Sequence, residues 1–220
     1  MARLLIFDFD GTLYHTGPGI HLAINNTFKQ LKMPELTYET VSACIGQGLE
    51  KLIEKLDLKN KMSRHDLHQM IRLFYQEYEK VFLKHSELYD GVLEFLKAWP
   101  HEMAIASNKD VRFVQALVEH GPLKEFTWTA IFGGNSFSTK KPDPVMIHNI
   151  LSQSKYEKND ALMVGDGEPD MLVAQNAGIK SVAVSFGYAP IEHLRQLGAH
   201  SEISHFNELA ASIQQLWGRS

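Results

Sequence analysis

The stretch "LLIFDFDGTLYHTG" (residues 4–17) joins a short apolar run to two aspartates that are one residue apart. The run 4–7 predicts a strand that is buried on both faces, and because side chains alternate along a strand, Asp8 and Asp10 can lean the same way at its end. Two carboxylates that close raise each other's pKa unless a cation lies between them or one keeps a proton. Gly11 then allows a tight turn that brings backbone amides near an anion. The stretch predicts a metal site, an acid/base pair or both, with a strand and an ordinary Asx turn as the alternative.

The composition limits the classes of partner. The chain has 220 residues, a formal net charge of -4 and a sequence pI of about 6.3, so it lacks the basic surface that nucleic acids and anionic membranes attract. Its single cysteine cannot form an intramolecular disulfide, which is typical of a reducing compartment. The sequence shows neither a signal-peptide pattern nor an apolar run of about 18 residues that could span a bilayer. We therefore predict a cytoplasmic monomer or homodimer that acts on a small solute and binds neither nucleic acid nor membrane.

Two patterns of hydrophobic residues divide the chain. Residues 17–83 repeat apolar positions at intervals of three and four, which predicts helices, whereas strand and helix patterns alternate beyond Tyr89. The first strand resembles the later ones, so the helical block reads as an insertion. The sequence therefore predicts an α/β fold: a Rossmann-like three-layer core with a parallel sheet (1–15 and 85–220) and a small all-α cap domain inserted after the first strand (16–84).

Polar residues follow several of the predicted strands, where open parallel sheets bind their ligands. The segments are "MAIASNK" (103–109), "IFGGNSFSTKKPDP" (131–144) and "ALMVGDGEPD" (161–170). Asp166, with Asp8 and Asp10, forms an oxygen-rich set that suits Mg²⁺. The ion would offset the repulsion between the acids and leave one carboxylate free to attack phosphorus, while the second aspartate protonates the leaving alcohol and later deprotonates water.

Cationic and hydrogen-bonding side chains complete the predicted phosphate site. Lys141 and Ser107 would hold phosphoryl oxygens with help from Asn108, and the turn at Gly11 would add backbone amides. Lys140 is interpreted as a surface residue. The stripe 73–82 is interpreted as packing within the helical insert.

Four segments together resemble the haloacid dehalogenase superfamily, and within it the phosphoglycolate-phosphatase-type enzymes. "DFDGTL", "ASNK", "KPDP" and "VGDGEPD" are similar to the first to fourth motifs of that superfamily, in the same order. The resemblance covers nearly the whole chain and implies a helical cap. It also implies roles for single residues: Asp8 as nucleophile and metal ligand, Asp10 as general acid/base and as metal ligand through its main-chain carbonyl, Asp166 as metal ligand, Ser107 and Lys141 on the phosphoryl group, and Asp170 as a supporting acid.

The predicted cap carries a further similarity and the chain shows two departures. "IGQGLEKL" (45–52) is similar to the glycine-containing cap segment of phosphoglycolate-type members, which makes Gly46, Gln47 and Gly48 candidate substrate-binding residues. His15 stands where these phosphatases usually have an acidic residue, and Gly167 where they usually have serine or threonine.

The leading hypothesis is a Mg²⁺-dependent phosphatase that hydrolyses a small organic phosphomonoester, with 2-phosphoglycolate as a candidate, through an aspartyl-phosphate. A phosphomutase of the same fold is the nearest alternative. A receiver-like phosphate switch, a dehalogenase, a phosphonate hydrolase using Lys51 and a non-catalytic binding protein are less favoured. The receiver would need no inserted cap, and the dehalogenase would not need the acid/base at Asp10.

Overall fold

The protein is built on a six-stranded parallel sheet. The computed structural model describes residues 2–56 and 63–218, so Met1, residues 57–62 of the predicted cap and residues 219–220 lie outside the description. The strands are β1 (Leu4–Phe7), β2 (Tyr14–His15), β3 (Glu87–Leu88), β4 (Glu102–Ala106), β5 (Ala130–Phe132), β6 (Ala161–Gly165), β7 (Lys180–Val184) and β8 (Ser201–Ile203).

Helices follow the strands and fill the predicted insert. They are α1 (Gly17–Gln30), α2 (Tyr38–Ser42), α3 (Leu49–Leu56), α4 (Arg64–Val81), α5 (Val92–Ala98), α6 (Val111–His120), α7 (Val145–Gln153), α8 (Glu168–Ala177), α9 (Ile191–Gln196) and α10 (Leu209–Trp217). Short 3₁₀ turns lie at Pro122–Glu125, Lys158–Asp160 and Phe206–Glu208. Across the described ranges, we find no helix that combines the length and the apolarity needed to cross a bilayer.

Strand β1 lies in the middle of the sheet, whose order is β5-β4-β1-β6-β7-β8. Its register pairs Leu4 with both Glu102 of β4 and Ala161 of β6, so three strands run side by side in the same direction. All four residues of β1 are buried, as the uninterrupted apolar run predicts for a central parallel strand. The carboxyl ends of β1, β4 and β6 consequently meet at one edge, which we call the catalytic edge because the predicted catalytic residues Asp8 and Asp10 follow β1 there.

Apolar side chains on the two faces of the sheet make a three-layer arrangement. On one face, Leu4 and Ile6 pack with Met146 of α7 and Val173 of α8. On the other face, Leu5 and Phe7 belong to a larger cluster that includes residues of α5, α6 and α10. The predicted α/β Rossmann-like fold is confirmed.

The helical insert is joined to the sheet domain through a small hairpin. Strands β2 and β3 pair antiparallel, with Tyr14 opposite Leu88 and His15 opposite Glu87, so both ends of the insert are close together. This pairing supports the predicted boundaries, and the division into a core and a cap stays a prediction. Sequence periodicity missed β2 and β3 because two-residue strands have no measurable alternation.

Candidate active site

Three buried carboxylates converge at the catalytic edge. Asp8 follows β1, Asp166 follows β6 and Asp170 lies in the first turn of α8, and one carboxylate oxygen from each lies within 4.8 Å of the others. Asp8 and Asp166 meet because their strands are neighbours in register. Asp170 joins them because α8 begins directly after β6, so its first turn lies beside the strand end.

Lys141 lies within this acidic group and is almost fully buried. Its Nζ lies 2.6 Å from Asp170 Oδ1 and 3.0 Å from Asp8 Oδ1, and its side chain is 1% exposed. Burial alone would lower the pKa of Lys141, but Asp170 and Asp8 outweigh it, so the pKa is raised and the ammonium is retained. The structure thus brings the predicted phosphate-binding lysine beside the predicted nucleophile.

The carboxylates are more numerous than the cations that neutralise them. Burial, followed by the charges of Asp8 and Asp170, raises the pKa of Asp166 well above its ordinary value. Burial and Asp8 raise the pKa of Asp170 to about 7, although Lys141 opposes the shift. Asp8 Oδ1 is buried, and its close cationic neighbour is Lys141 Nζ at 3.0 Å. Three buried carboxylates that share one ammonium form a hard oxygen donor set, which fits a divalent cation such as Mg²⁺.

Asp10 lies outside the three-carboxylate group because two other side chains hold its oxygens. Thr16 Oγ1 donates to Oδ1 at 2.7 Å, and Lys109 Nζ donates to Oδ2 at 3.1 Å. Lys109 also donates to the hydroxyl of Tyr78 on α4 at 2.8 Å. Burial lowers the pKa of Lys109, but Asp10 and Tyr78 more than compensate, and the pKa is raised. Thr16 and Lys109 thus hold the carboxyl group of Asp10 in place.

Sequence reasoning assigned no role to Lys109 or Thr16, although both stand inside or next to quoted motifs. It also missed Thr12, whose hydroxyl donates to Asp166 Oδ1 at 3.0 Å, and Tyr188, whose backbone amide donates to Asp166 Oδ2 at 2.8 Å. Tyr188 follows β7, so inspection of every strand end would have found it.

Gly11 provides space at the turn after Asp10. Its φ is +83°, and a Cβ there would lie 2.2 Å from Asp166 Oδ2 and 2.7 Å from Tyr188 Cδ2. Its amide donates to the carbonyl of Tyr14 at 2.9 Å. In this structure that amide is therefore engaged within the turn, and the observed contribution of Gly11 is room for Asp166.

The residues after β4 connect the sheet domain to the insert. Ser107 is 2% exposed and lines a cavity together with Asp8 and Asp10. Asn108 Nδ2 donates to Lys141 O at 3.1 Å and to Gly46 O at 3.2 Å. The amide group of Asn108 is therefore engaged in fixing the Lys141 loop and in holding the insert against the sheet domain.

The cavity has a volume of about 60 Å³ and lies between the catalytic edge and the insert. Gly46 and Gly48 line it, whereas Gln47 faces neighbouring grooves that Lys141 and Asp166 border. Gly48 has a φ of +87°, and a Cβ there would lie 2.7 Å from Lys140 Nζ. Lys140 is partly buried and pairs with Glu50 Oε2 at 3.3 Å, so it contacts the insert rather than standing free on the surface.

The aromatic stripe of α4 does more than pack the insert. Phe74, Tyr75 and Tyr78 line the cavity, and Tyr78 also packs edge-to-face on Phe113 of α6 with ring centroids 4.9 Å apart. The interpretation of this stripe as internal packing alone is therefore incomplete.

The two departures from the family pattern have local partners. His15 Nε2 lies 2.8 Å from the hydroxyl of Tyr38 on α2, which places an aromatic contact where an acidic residue was expected. The amide of Gly167 donates to Asp170 Oδ2 at 2.9 Å and helps to cap α8.

Comparison with known proteins identifies the family. The family model described as haloacid dehalogenase-like hydrolase matches residues 5–184. A phosphoglycolate phosphatase from Colwellia psychrerythraea is 30% identical over 221 residues, which cover 97% of each chain. One from Photobacterium profundum is 33% identical over 195 residues, which cover 84% of each chain.

Solved structures share the fold. A predicted phosphoglycolate phosphatase from Haemophilus somnus superposes with a TM-score of 0.87 at 24% identity, over 97% of this chain and 98% of that one. CbbY from Rhodobacter sphaeroides in complex with phosphate gives a TM-score of 0.79 at 21% identity. The superposition covers 95% of this chain and 96% of that one. The family match extends from β1 through β7 and includes all four motifs. The superfamily resemblance is confirmed, and the chain belongs to the haloacid dehalogenase-like hydrolases.

Proposed function

We propose that the chain is a Mg²⁺-dependent phosphatase that hydrolyses a small organic phosphomonoester through an aspartyl-phosphate on Asp8. The observation that carries the proposal is the buried carboxylate of Asp8, which lies 3.0 Å from Lys141 Nζ and close to Asp166 and Asp170. An anionic nucleophile beside a fixed cation suits attack on a phosphoryl group that is itself anionic. The curated relatives, which are named phosphoglycolate phosphatases, support the same reaction class.

The first half of the reaction forms the phosphoenzyme. A carboxylate oxygen of Asp8 forms a bond to phosphorus while the bond from phosphorus to the ester oxygen breaks. Lys141 and Ser107 hold the phosphoryl oxygens over which charge spreads, and Asn108 keeps the Lys141 loop in place. Asp10, carrying the proton at this stage, transfers it to the departing oxygen, which leaves as an alcohol.

The second half returns the enzyme to its starting state. Asp10, now a carboxylate, takes a proton from water as the water oxygen attacks phosphorus, and the acyl phosphate bond to Asp8 breaks. Inorganic phosphate leaves and Asp10 is protonated again. Thr16 and Lys109 keep Asp10 in position through both proton transfers.

Mg²⁺ fits the charges at this edge. Asp8, Asp166 and the main-chain carbonyl of Asp10 would hold the ion, while Asp170 is engaged by Lys141 and supports the site. When bound, the ion supplies positive charge that offsets the carboxylates and the incoming phosphoryl group.

Release of inorganic phosphate from a panel of phosphomonoesters, 2-phosphoglycolate included, tests the proposal. We expect release that needs Mg²⁺ and disappears in Asp8→Asn, with Asp143→Asn as the matched control because Asp143 is an exposed aspartate in the loop before α7. Full activity in Asp8→Asn, or unchanged activity after chelation, would contradict the mechanism. Phosphorylated enzyme that accumulates without phosphate release would point to the phosphomutase or the switch.

The proposal includes a small phosphorylated metabolite as substrate, a cytoplasmic location and a monomer or homodimer. Size-exclusion chromatography with light scattering would test the oligomeric state. A phosphonate hydrolase is less well supported, because its candidate Lys51 is 57% exposed and pairs with Glu54 at 2.6 Å rather than lining the cavity of the catalytic edge.

A further inference from the structure

The wall of the cavity opposite the catalytic edge is mainly apolar. We propose that this wall selects substrates whose alcohol part is small, uncharged and largely apolar, so that the enzyme prefers such esters to the carboxylate-bearing 2-phosphoglycolate. This inference rests on the proposed function and names the substrate class of the same site.

The apolar wall is built mostly by the helical insert. Its members are Ile20 of α1, Ile45, Leu49 and Leu52 in and before α3, Phe74, Tyr75 and Tyr78 of α4, and Phe113 of α6. Asp8 and Asp10 line the same cavity. A phosphomonoester placed for attack by Asp8 would therefore have its ester oxygen near Asp10 and its alcohol part against the apolar wall.

Charges in the cavity disfavour a second anion. Lys109 is the cation among the described lining residues, and its Nζ is already held by Asp10 at 3.1 Å and by the Tyr78 hydroxyl at 2.8 Å. Asp110 lines the same cavity and adds a further carboxylate. A substrate carboxylate here would meet negative charge and would have to compete with Asp10 for Lys109.

Neighbouring cations of the described chain have partners elsewhere. Arg112 lies 4.6 Å over the rings of Tyr75 and Phe113, outside the cavity lining, and donates to Glu79 at 2.7 Å. Lys140 pairs with Glu50 at 3.3 Å. The guanidinium of Arg112 thus lies against aromatic rings and does not line the cavity.

Desolvation makes this arrangement selective. A carboxylate buried without a counter-charge loses far more hydration than a methyl group does, whereas an apolar group gains from contact with leucine and aromatic side chains. The phosphoryl group differs because the divalent cation of the proposed function, together with Lys141 beside Asp8, would offset its charge. The cavity volume of about 60 Å³ favours an alcohol of only a few non-hydrogen atoms.

Isobutyl phosphate and 2-phosphoglycolate form a matched pair of probes, because the isobutyl and carboxymethyl groups have the same number and branching of non-hydrogen atoms and differ in charge. We expect kcat/KM for isobutyl phosphate to exceed that for 2-phosphoglycolate by about tenfold or more, with the difference mainly in KM. Equal values, or a preference for 2-phosphoglycolate, would overturn the inference.

A variant with an added charge makes the test specific to this wall. Leu49→Lys adds a cation to the cavity lining, and we expect the ratio of the two kcat/KM values to shift about tenfold toward 2-phosphoglycolate. Leu83→Lys adds the same charge at a leucine that is 48% exposed and away from the lining, and it should leave the ratio unchanged. An equal shift in both variants would indicate a general charge effect and would contradict the role of the wall.

The outcomes separate the two proposals. Mg²⁺-dependent turnover of 2-phosphoglycolate in preference to isobutyl phosphate leaves the phosphatase intact and removes the inference. Silence on every ester of the panel overturns both. Thermal unfolding of Leu49→Lys and of the wild-type protein shows whether the variant is folded. The wild-type comparison of the two esters decides the inference even if that variant does not fold.

Discussion

The two sides of the cavity differ in chemistry and in how they are built. On the catalytic edge, charged groups from strand ends, a loop and the first turn of α8 meet within a few ångströms, as in the 2.6 Å contact of Lys141 with Asp170. On the opposite side, helices of the insert present aliphatic and aromatic side chains. The first side suits bond making and breaking, which require fixed charges. The second side suits selection among substrates, because its side chains can change size or polarity without moving the carboxylates.

The two sides touch at a few defined points. Tyr78 of α4 accepts a hydrogen bond from Lys109, and Gly46 accepts one from Asn108. If the contrast between the sides is correct, substitutions at the catalytic edge should reduce turnover most. Substitutions at the buried contact points should reduce it moderately, and substitutions at solvent-exposed contacts between the two sides should reduce it least.

Lys141→Met tests the catalytic edge and should have the largest effect. Loss of the ammonium removes the cation beside Asp8 and Asp170, and we expect kcat to fall about 10²- to 10³-fold. Steady-state kinetics with saturating Mg²⁺ measure the change. Lys140→Met is the matched control because it removes the adjacent lysine, and a comparable loss in that variant would break the distinction.

Removing divalent cations should make the stability of the protein fall with rising pH. Burial and neighbouring charges raise the pKa values of Asp166 and Asp170 in the folded state, to about 7 for Asp170, above the ordinary 3.8. The folded protein then holds more protons than the unfolded chain between about pH 4 and 7, so the free energy of unfolding is highest at the acidic end and declines as pH rises through 7. We expect a loss on the order of a few kcal/mol across this window.

Urea unfolding in EDTA at several pH values measures that decline. Added Mg²⁺ should flatten it, because the ion favours the ionised carboxylates. A metal-free protein that is as stable at pH 7.5 as at pH 5 would contradict the view of the catalytic edge as an uncompensated acidic group.

Lys109→Met tests a contact between the two sides and should have an intermediate effect. Asp10 would keep its hydrogen bond from Thr16 but lose its ion pair. Because its carboxyl group is then held less firmly, we expect kcat, measured by steady-state kinetics, to fall about tenfold. Lys109→Arg should recover part of the activity. Tyr78→Phe keeps the ion pair and removes only the hydroxyl contact, so a loss as large as that of Lys109→Met would assign the effect to the insert instead.

Glu50→Gln and Lys140→Met, alone and together, test the exposed contact and should have the smallest effect. Their side chains are 58% and 32% exposed, and solvent-exposed ion pairs contribute only about 0–1 kcal/mol. We expect changes of less than about fivefold in kcat/KM. A coupling in the double-mutant cycle as strong as the effect of Lys141→Met would show that the insert side participates directly in turnover.

The sequence predicts the catalytic edge well because its information is local. Asp8 and Asp166 each follow an uninterrupted apolar strand, and parallel strands place such ends together. The choice of Lys141 over the adjacent Lys140 rests instead on the similarity of "KPDP" to the third motif of the superfamily. The fold class and the residues that meet at the edge therefore follow from short segments of the chain.

The contacts of the helical insert with the sheet domain could not be predicted in the same way. Periodicity indicates that α4 has an apolar face, but it does not indicate that Tyr78 reaches over the sheet domain to Lys109. The pairing of Lys140 with Glu50 and that of Asn108 with Gly46 likewise join residues far apart in the chain. Such contacts depend on how the insert lies against the sheet, which is a tertiary property that hydrophobic spacing does not encode.

The hairpin between β2 and β3 bears on how such a protein can evolve. Tyr14–His15 and Glu87–Leu88 pair with each other where the insert begins and ends. In chain connectivity, the insert is therefore equivalent to one long loop of the sheet domain whose ends lie close together. Insertions are tolerated where the ends of a loop lie close together, and lengthening such a loop adds little closure entropy. Gene recombination could therefore exchange the whole segment between relatives in one event, giving a new substrate range to an unchanged hydrolytic centre.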